Sequence, residues 1–124
     1  MRARSGVCVL PLTPDTKGLL NAATFAKLKP DAYLINVARG EHLVENDLLA
    51  MLDNGCLAGA TLDVFREEPL PAGHAFWTHP RITVTPHISA ITLRAESVVQ
   101  IAQKIRALER GEAIDGVVET GRGY

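Results

Sequence analysis

The sequence has few cysteines, almost no net charge and no long apolar run, and each shortage excludes a class of protein. Its two cysteines, Cys8 and Cys56, lie far apart in apolar segments, whereas disulfide scaffolds and zinc sites use denser or paired cysteines. The 13 Lys and Arg residues nearly balance 14 Asp and Glu residues, so the net charge of -1 favours neither nucleic acid nor an anionic membrane as a partner. No run approaches the ~20 apolar residues that span a bilayer, and no signal peptide is recognisable. These features predict a globular protein of the reducing cytoplasm.

What the sequence does contain is an alternation of strand and helix patterns. Four apolar runs predict strands buried on both faces: Gly6–Leu10, Tyr33–Val37, Ala58–Leu62 and Arg81–Thr85. Helical patterns are expected at 20–28 with Asn21 as cap, from Glu45 to Asn54, and from a Thr92 cap to Gly111. The proline-rich stretch from Phe65 to Pro80 predicts a loop. Strands and helices that alternate in this way indicate βαβ units and a parallel sheet.

Chemically useful side chains follow the predicted strands. Arg39 follows the second strand, Asp63 the third and His87 the fourth, and the long loop adds Glu67 and Glu68. Because the carboxyl ends of parallel strands meet at one edge, these groups should be neighbours with the means for acid/base chemistry and for holding a carboxylate. Each also has a structural interpretation: an exposed arginine, an aspartate that turns the chain, a histidine bonded to backbone and an acidic pair on a loop surface.

Several other kinds of site are absent from the sequence. His42, His74 and His79 do not have the spacing of a zinc or iron site, so we expect no metal. The chain has no Gly-x-Ser-x-Gly elbow, no P-loop and no Gly-x-Gly-x-x-Gly before a helix.

Five segments resemble C-terminal signatures of the NAD(P)-dependent D-isomer-specific 2-hydroxyacid dehydrogenases, in matching order and spacing. They are Leu10–Gly18, Leu34–Gly40, Ala60–Phe65, Glu68–Leu70 and Thr85–Ala90. The ending Arg122–Tyr124 and the segment Phe76–Trp77 look most like the glyoxylate/hydroxypyruvate reductase branch. The resemblance implies an α/β fold, the C-terminal half of a Rossmann-type doubly wound parallel sheet. It makes 1–124 a single partial NAD(P)-binding domain, with a long C-terminal helix at 92–110 that in the family packs toward a substrate domain.

The resemblance also implies an activity and a site. It indicates an oxidoreductase that transfers hydride between NAD(H) or NADP(H) and a small 2-oxoacid or 2-hydroxyacid. Arg39 would hold the substrate carboxylate and polarise its carbonyl, His87 would be the acid/base, and Glu68 would orient and charge His87. Asp63 would meet the nicotinamide carboxamide. The residues implied at the cofactor are Leu12, Thr13, Val37, Ala38, Arg39, Asp63, His87, Ser89 and Ala90.

Family members are more than twice as long as this chain and carry a substrate domain and a Gly-rich dinucleotide turn ahead of its first strand. The chain therefore looks N-terminally truncated, with every catalytic residue but without the pyrophosphate-binding turn. The full-length form is expected to be a homodimer. The alternative is a non-catalytic remnant or interaction module of the same fold. The sequence leaves open which 2-oxoacid is used and whether NAD or NADP is preferred.

Overall fold

Four parallel β-strands form the centre of the first of two units in the computed structural model, which describes residues 3–121. The first unit ends at Ser89 and the second begins at Ala90. The strands are β1 (Ser5–Cys8), β2 (Ala32–Asn36), β3 (Leu57–Leu62) and β4 (Ile82–Val84), in the spatial order β1-β2-β3-β4. The predicted α/β class and parallel sheet are confirmed. The expectation of one partial domain over 1–124 stays a prediction, and the ending Arg122–Tyr124 lies outside the described residues.

The two outer strands are less buried than the sequence predicts. Residues of β2 alternate between buried and half-buried, and β3 is mostly buried. In β1 only Cys8 is buried, and in β4 no residue is fully buried. The prediction of four strands buried on both faces is therefore wrong for β1 and β4, which lie at the edges of the sheet and have a neighbouring strand on one side only.

Two helices connect the first three strands and contribute side chains to the core. Helix α1 (Ala22–Phe25) is capped by Asn21 as predicted, since the Asn21 side chain accepts a hydrogen bond from the Thr24 amide at 3.1 Å. Helix α2 (Glu45–Asp53) ends at Asn54 and Gly55, and Gly55 has the positive φ of +77° that glycine tolerates best. The core of buried apolar residues includes Phe25, Leu34, Leu43, Leu48, Leu52, Leu57, Leu62 and Phe76.

The connection between β3 and β4 is the predicted loop, with a 3₁₀ turn at Ala75–Trp77. Two histidines tie this loop to opposite ends of α2. His74 Nε2 lies 3.3 Å from Glu45 Oε2, and His79 Nε2 lies 3.3 Å from Asp53 Oδ1. In both rings Nδ1 accepts a backbone N–H, so Nε2 is left to donate. These histidines therefore position the loop.

The second unit contains helix α3 (Arg94–Glu109). The helix begins after Leu93, whose side chain makes no cap bond, so the predicted Thr92 cap is wrong. No residue of α3 is buried, and its apolar side chains include Val98, Ile101 and Ile105, which are exposed. The expected packing of this helix toward a substrate domain stays a prediction. Across residues 3–121, no helix has the length and apolar character to cross a membrane.

Candidate active site at the strand ends

The last residues of the four strands lie in one paired row. Cys8 pairs with Asn36, Asn36 with Leu62, and Leu62 with Val84. The segments that leave these strands therefore begin side by side at the carboxyl edge of the sheet, where open α/β sheets bind their ligands. We call these segments the strand-end site: residues 11–16, 37–42, 63–68 and 85–89.

Glu68 and His87 form a pair in the strand-end site. His87 Nδ1 lies 2.8 Å from Glu68 Oε2, while the Phe65 amide donates to Glu68 Oε1 at 2.9 Å. The hydrogen bond with His87 lowers the pKa of Glu68, partial burial opposes the change, and the Phe65 amide adds to the lowering. Glu68 is therefore ionised at neutral pH. Its carboxylate keeps the hydrogen on Nδ1 and leaves Nε2 of the half-exposed ring for a ligand.

Asp63 anchors the turn that carries His87. Its carboxylate accepts hydrogen bonds from the Thr85 hydroxyl, from the Ile88 amide at 3.0 Å and from the Ser89 amide at 2.9 Å. These donors flank His87, whose backbone φ of +53° lies in a region that residues other than glycine seldom adopt. A strained conformation persists only where its surroundings hold it, and Asp63 supplies that hold.

The charge of Asp63 is stabilised although its side chain is buried. Burial by itself raises the pKa of Asp63, but the hydrogen bonds from Thr85, Ile88 and Ser89 outweigh it and lower the pKa from 3.8 to about 2. With 1% of its surface exposed and three donors bound, the carboxylate works first as an internal anchor. Its expected contact with a nicotinamide carboxamide stays a prediction.

Asn36 shapes the turn that carries Arg39. Its side-chain oxygen accepts from the Ala38 amide at 3.2 Å, and its side-chain nitrogen donates to the Arg39 carbonyl at 3.1 Å. The exposed Arg39 side chain donates from Nη1 to the Ala38 carbonyl at 2.6 Å. A guanidinium carries five N–H donors, more than this bond uses, and its planar fork matches a carboxylate.

Gly40 brings the Arg39 turn against the Glu68 loop. A Cβ at this position would lie 2.0 Å from the Phe65 carbonyl carbon and 2.3 Å from the Arg66 nitrogen, which are both backbone atoms. Only glycine allows this approach. Because the Phe65 amide also binds Glu68, the contact links the position of Arg39 to that of the Glu68 and His87 pair.

A hydroxyl network orders the segment after β1. The buried Thr13 donates from its amide to Thr16 Oγ1 at 2.8 Å, and the Thr16 hydroxyl donates to the Pro11 carbonyl at 2.8 Å. Leu12, which lies between Pro11 and Thr13 in the chain, is half-buried. The segment is thus a defined loop at the edge where the cofactor was expected.

A cavity of about 420 Å³ lies beside the acid/base pair. It is lined by Phe65, Glu68, Pro69, Leu70, Trp77, Val84, Pro86 and His87. An apolar cavity with a few convergent polar groups is the usual form of a small-molecule site. Among residues 3–121, no group of three or more His, Cys, Asp or Glu side chains is arranged to hold a metal ion.

The structure brings most of the predicted site residues to one edge. Glu68 contacts His87, and Asp63 contacts Ser89. Val37 is half-buried and Ala38 buried in the Arg39 turn, whereas Ala90 is exposed and belongs to the second unit.

The sequence did not predict the residues that hold the site together: Asn36, Gly40 as a close contact, His42, Thr16 and Thr85. A polar residue inside an apolar strand, as at Asn36, was the one available signal.

Comparison with known proteins gives one family. A family model described as D-isomer specific 2-hydroxyacid dehydrogenase, NAD binding domain, matches residues 2–89. Curated relatives include glyoxylate/hydroxypyruvate reductase A of Serratia proteamaculans, 60% identical over 116 residues, and that of Photorhabdus laumondii, 57% identical. Both matches cover 94% of this chain, which spans 37% of the length of either relative.

Solved structures agree. A D-isomer specific 2-hydroxyacid dehydrogenase of Xanthobacter autotrophicus, in complex with NADPH and MES, is 45% identical with a TM-score of 0.92, covering 98% of this chain and 50% of that one. An NADPH-dependent glyoxylate/hydroxypyruvate reductase of Sinorhizobium meliloti, in complex with NADP and sulfate, is 42% identical with a TM-score of 0.91, covering 98% of this chain and 40% of that one.

Proposed function

This chain belongs to the D-isomer specific 2-hydroxyacid dehydrogenase family, within its NAD-binding domain, and from that premise we propose that it provides the catalytic residues of a glyoxylate/hydroxypyruvate reductase. The observation that carries the proposal is the Glu68 and His87 pair, which is held at the strand ends beside the Arg39 turn. The identity of 60% and 57% to curated reductases supports this choice of substrate class.

His87 is the proton donor in this proposal. Glu68 accepts from Nδ1 at 2.8 Å, so in the protonated ring Nε2–H can donate to the carbonyl oxygen of a 2-oxoacid. After that transfer the ring is neutral and still carries its hydrogen on Nδ1. The ionised Glu68 balances the ring charge before the transfer, and the Phe65 amide prevents the carboxylate from rotating away.

Arg39 binds the substrate in this proposal. Its exposed guanidinium can take the substrate carboxylate with two parallel hydrogen bonds, which orient the adjacent carbonyl. The close contact at Gly40 holds the Arg39 turn against the Phe65 backbone, whose amide also binds Glu68. A 2-oxoacid satisfies both residues because its carboxylate and carbonyl are adjacent.

The residues at the strand ends fit the nicotinamide half of NAD(P)(H). The ordered loop at Leu12 and Thr13 and the small, buried Ala38 border the edge at which a ring and ribose would lie. A bound reduced nicotinamide supplies the hydride, and this chain supplies binding and orientation. We favour NADP(H), since both solved relatives described above hold NADPH or NADP.

We propose a cytoplasmic location and a homodimer for the complete enzyme. The two free thiols, Cys8 and Cys56, suit a reducing compartment. The exposed apolar side chains of α3, among them Ile101 and Ile105, suit a helix that is covered by another part of an assembly.

The test is a chimera in which this chain replaces the matching segment of the Serratia proteamaculans relative. We expect the chimera to reduce glyoxylate and hydroxypyruvate with NADPH. The variant His87→Ala should lose ~100-fold or more in kcat, because it lacks the proton donor. The variant Arg39→Lys should have a raised KM, because an ammonium cannot form two parallel hydrogen bonds with the substrate carboxylate. Glu68→Gln should lower kcat by removing the charge beside the ring. Glu67→Gln is the matched control, an adjacent exposed glutamate outside the pair, and should retain activity.

Two results would refute the proposal. Near-normal turnover in His87→Ala would show that the pair is structural. A folded chimera that binds NADPH and forms the expected assembly without turnover would instead support the non-catalytic alternative.

A further inference from the structure

His42 is a fully buried polar side chain that the proposed chemistry does not use. It lies in the 3₁₀ turn Gly40–His42 with none of its surface exposed. Its ring nitrogens point at carbonyl groups of two different loops: Nδ1 lies 3.1 Å from the Arg39 oxygen and Nε2 lies 3.3 Å from the Pro11 oxygen. One ring therefore touches the loop after β1 and the turn after β2.

These contacts differ from ordinary core packing. The neighbouring buried positions are apolar, as at Leu43 and Leu48, and an apolar side chain would fill the space without the desolvation cost of an imidazole. Both carbonyl oxygens lie where a ring N–H can donate to them. A neutral imidazole donates to one of them, and a protonated imidazole donates to both.

Other contacts fix the two loops farther along the chain. The Gly18 amide donates to the Glu41 carbonyl at 2.9 Å, and the Leu20 amide donates to the His42 carbonyl at 2.8 Å. These bonds hold residues 18–20. The ring of His42 adds a contact at Pro11, at the start of the loop and next to Leu12 and Thr13.

We propose that His42 is a positioning residue that sets the cofactor loop, residues 11–16, against the turn that carries Arg39. The inference rests on the proposed function, because the link between these two segments matters for catalysis only if they bind cofactor and substrate. The distance between the nicotinamide and the substrate carboxylate depends on how these two segments are held. Small displacements of reacting groups cost large factors in rate, so a remote link of this kind affects catalysis without touching substrate.

Hydrogen–deuterium exchange of this chain tests the link without any activity. The Gln side-chain nitrogen reaches the place of Nε2, whereas the Asn nitrogen reaches that of Nδ1. We expect faster exchange of residues 12–17 in His42→Phe and His42→Asn, and exchange close to that of the unsubstituted chain in His42→Gln. Leu48→Ala, an equally buried change on α2, is the control and should raise exchange without selecting that loop.

Kinetics of the chimera described above supply the second readout. We expect kcat/KM to fall ~10-fold or more in His42→Asn and His42→Phe, with His42→Gln retaining most of it. Equal exchange at residues 12–17 in all variants, or a loss of protection throughout the sheet in His42→Gln, would overturn the inference. An unsubstituted chimera that folds and binds NADPH but is inactive would refute the proposed function instead and leave exchange to decide the link.

Discussion

Replacement of Asp63 by Asn tests whether a buried charge holds the catalytic turn. The substitution keeps the size of the side chain and one oxygen, which can still accept from the Thr85 hydroxyl and the Ile88 amide. The new amide nitrogen would face the Ser89 amide, a donor against a donor. Loss of one charged hydrogen bond and of the charge on the others should cost about 3 kcal/mol of unfolding free energy at neutral pH.

The pH dependence of that cost follows from the pKa of Asp63. A fall from 3.8 to about 2 is worth about 2.5 kcal/mol, since a tenfold change in proton affinity corresponds to ~1.4 kcal/mol. Because the folded-state pKa is depressed, this stabilisation is complete above pH ~5 and is lost as the pH falls toward 2. Between pH 6 and pH 3 the loss should reach about 1 kcal/mol.

Urea unfolding of the unsubstituted chain and of Asp63→Asn, at equal protein concentration from pH 6 to pH 3, measures this change. The unfolding free energies should converge by about 1 kcal/mol as the pH falls, and taking their difference cancels the titration of Glu68 and other shared groups. Asp15→Asn, which removes an exposed carboxylate, is the control and should shift stability by less than ~0.5 kcal/mol at every pH. A constant difference across this range would show that no charged Asp63 anchors the turn.

Two further predictions concern close contact and exposed surface. Gly40→Ala should lower the unfolding free energy by more than ~2 kcal/mol, because its Cβ would overlap the Phe65 backbone; thermal unfolding measures this, and a melting temperature equal to that of the parent would contradict it. The chain should self-associate through apolar side chains of α3, and Ile105→Glu should weaken that association. Sedimentation velocity would decide the second case, with a monomer at all concentrations as the contrary result.

Much of the fold could be predicted because it depends on local pattern. Short apolar runs predicted all four strands to within a few residues, and the Asn21 cap and the Gly55 end of α2 follow from neighbours a few positions away. Burial at the sheet edges and the start of α3 could not be predicted in the same way. Edge position depends on which strands pair, and a periodic apolar pattern does not by itself fix the residue at which a helix starts.

The same distinction between local pattern and tertiary contacts applies to the candidate site. Parallel strands oblige Arg39, Asp63 and His87 to meet at one edge, so their type and approximate location were predictable, and the family resemblance paired Glu68 with His87. Without the resemblance, the sequence left open whether each of these residues has a catalytic or only a structural role. The tasks of Asp63 and His42 were not predictable, because the donors to the Asp63 carboxylate, and the Pro11 carbonyl that faces His42, lie more than 20 residues away in sequence.

The sequence by itself determined the order of strands and helices and the chemical groups that leave each strand, since both depend on side-chain type and spacing. Only the tertiary structure decided how those groups are held. Three features need atoms from separate loops within a few ångströms of each other. They are the Asp63 carboxylate with its pKa of about 2, Gly40 against the Phe65 carbonyl, and the His42 ring between two carbonyls. That proximity is created by packing, because a buried polar group is stable only where distant segments supply its hydrogen-bond partners.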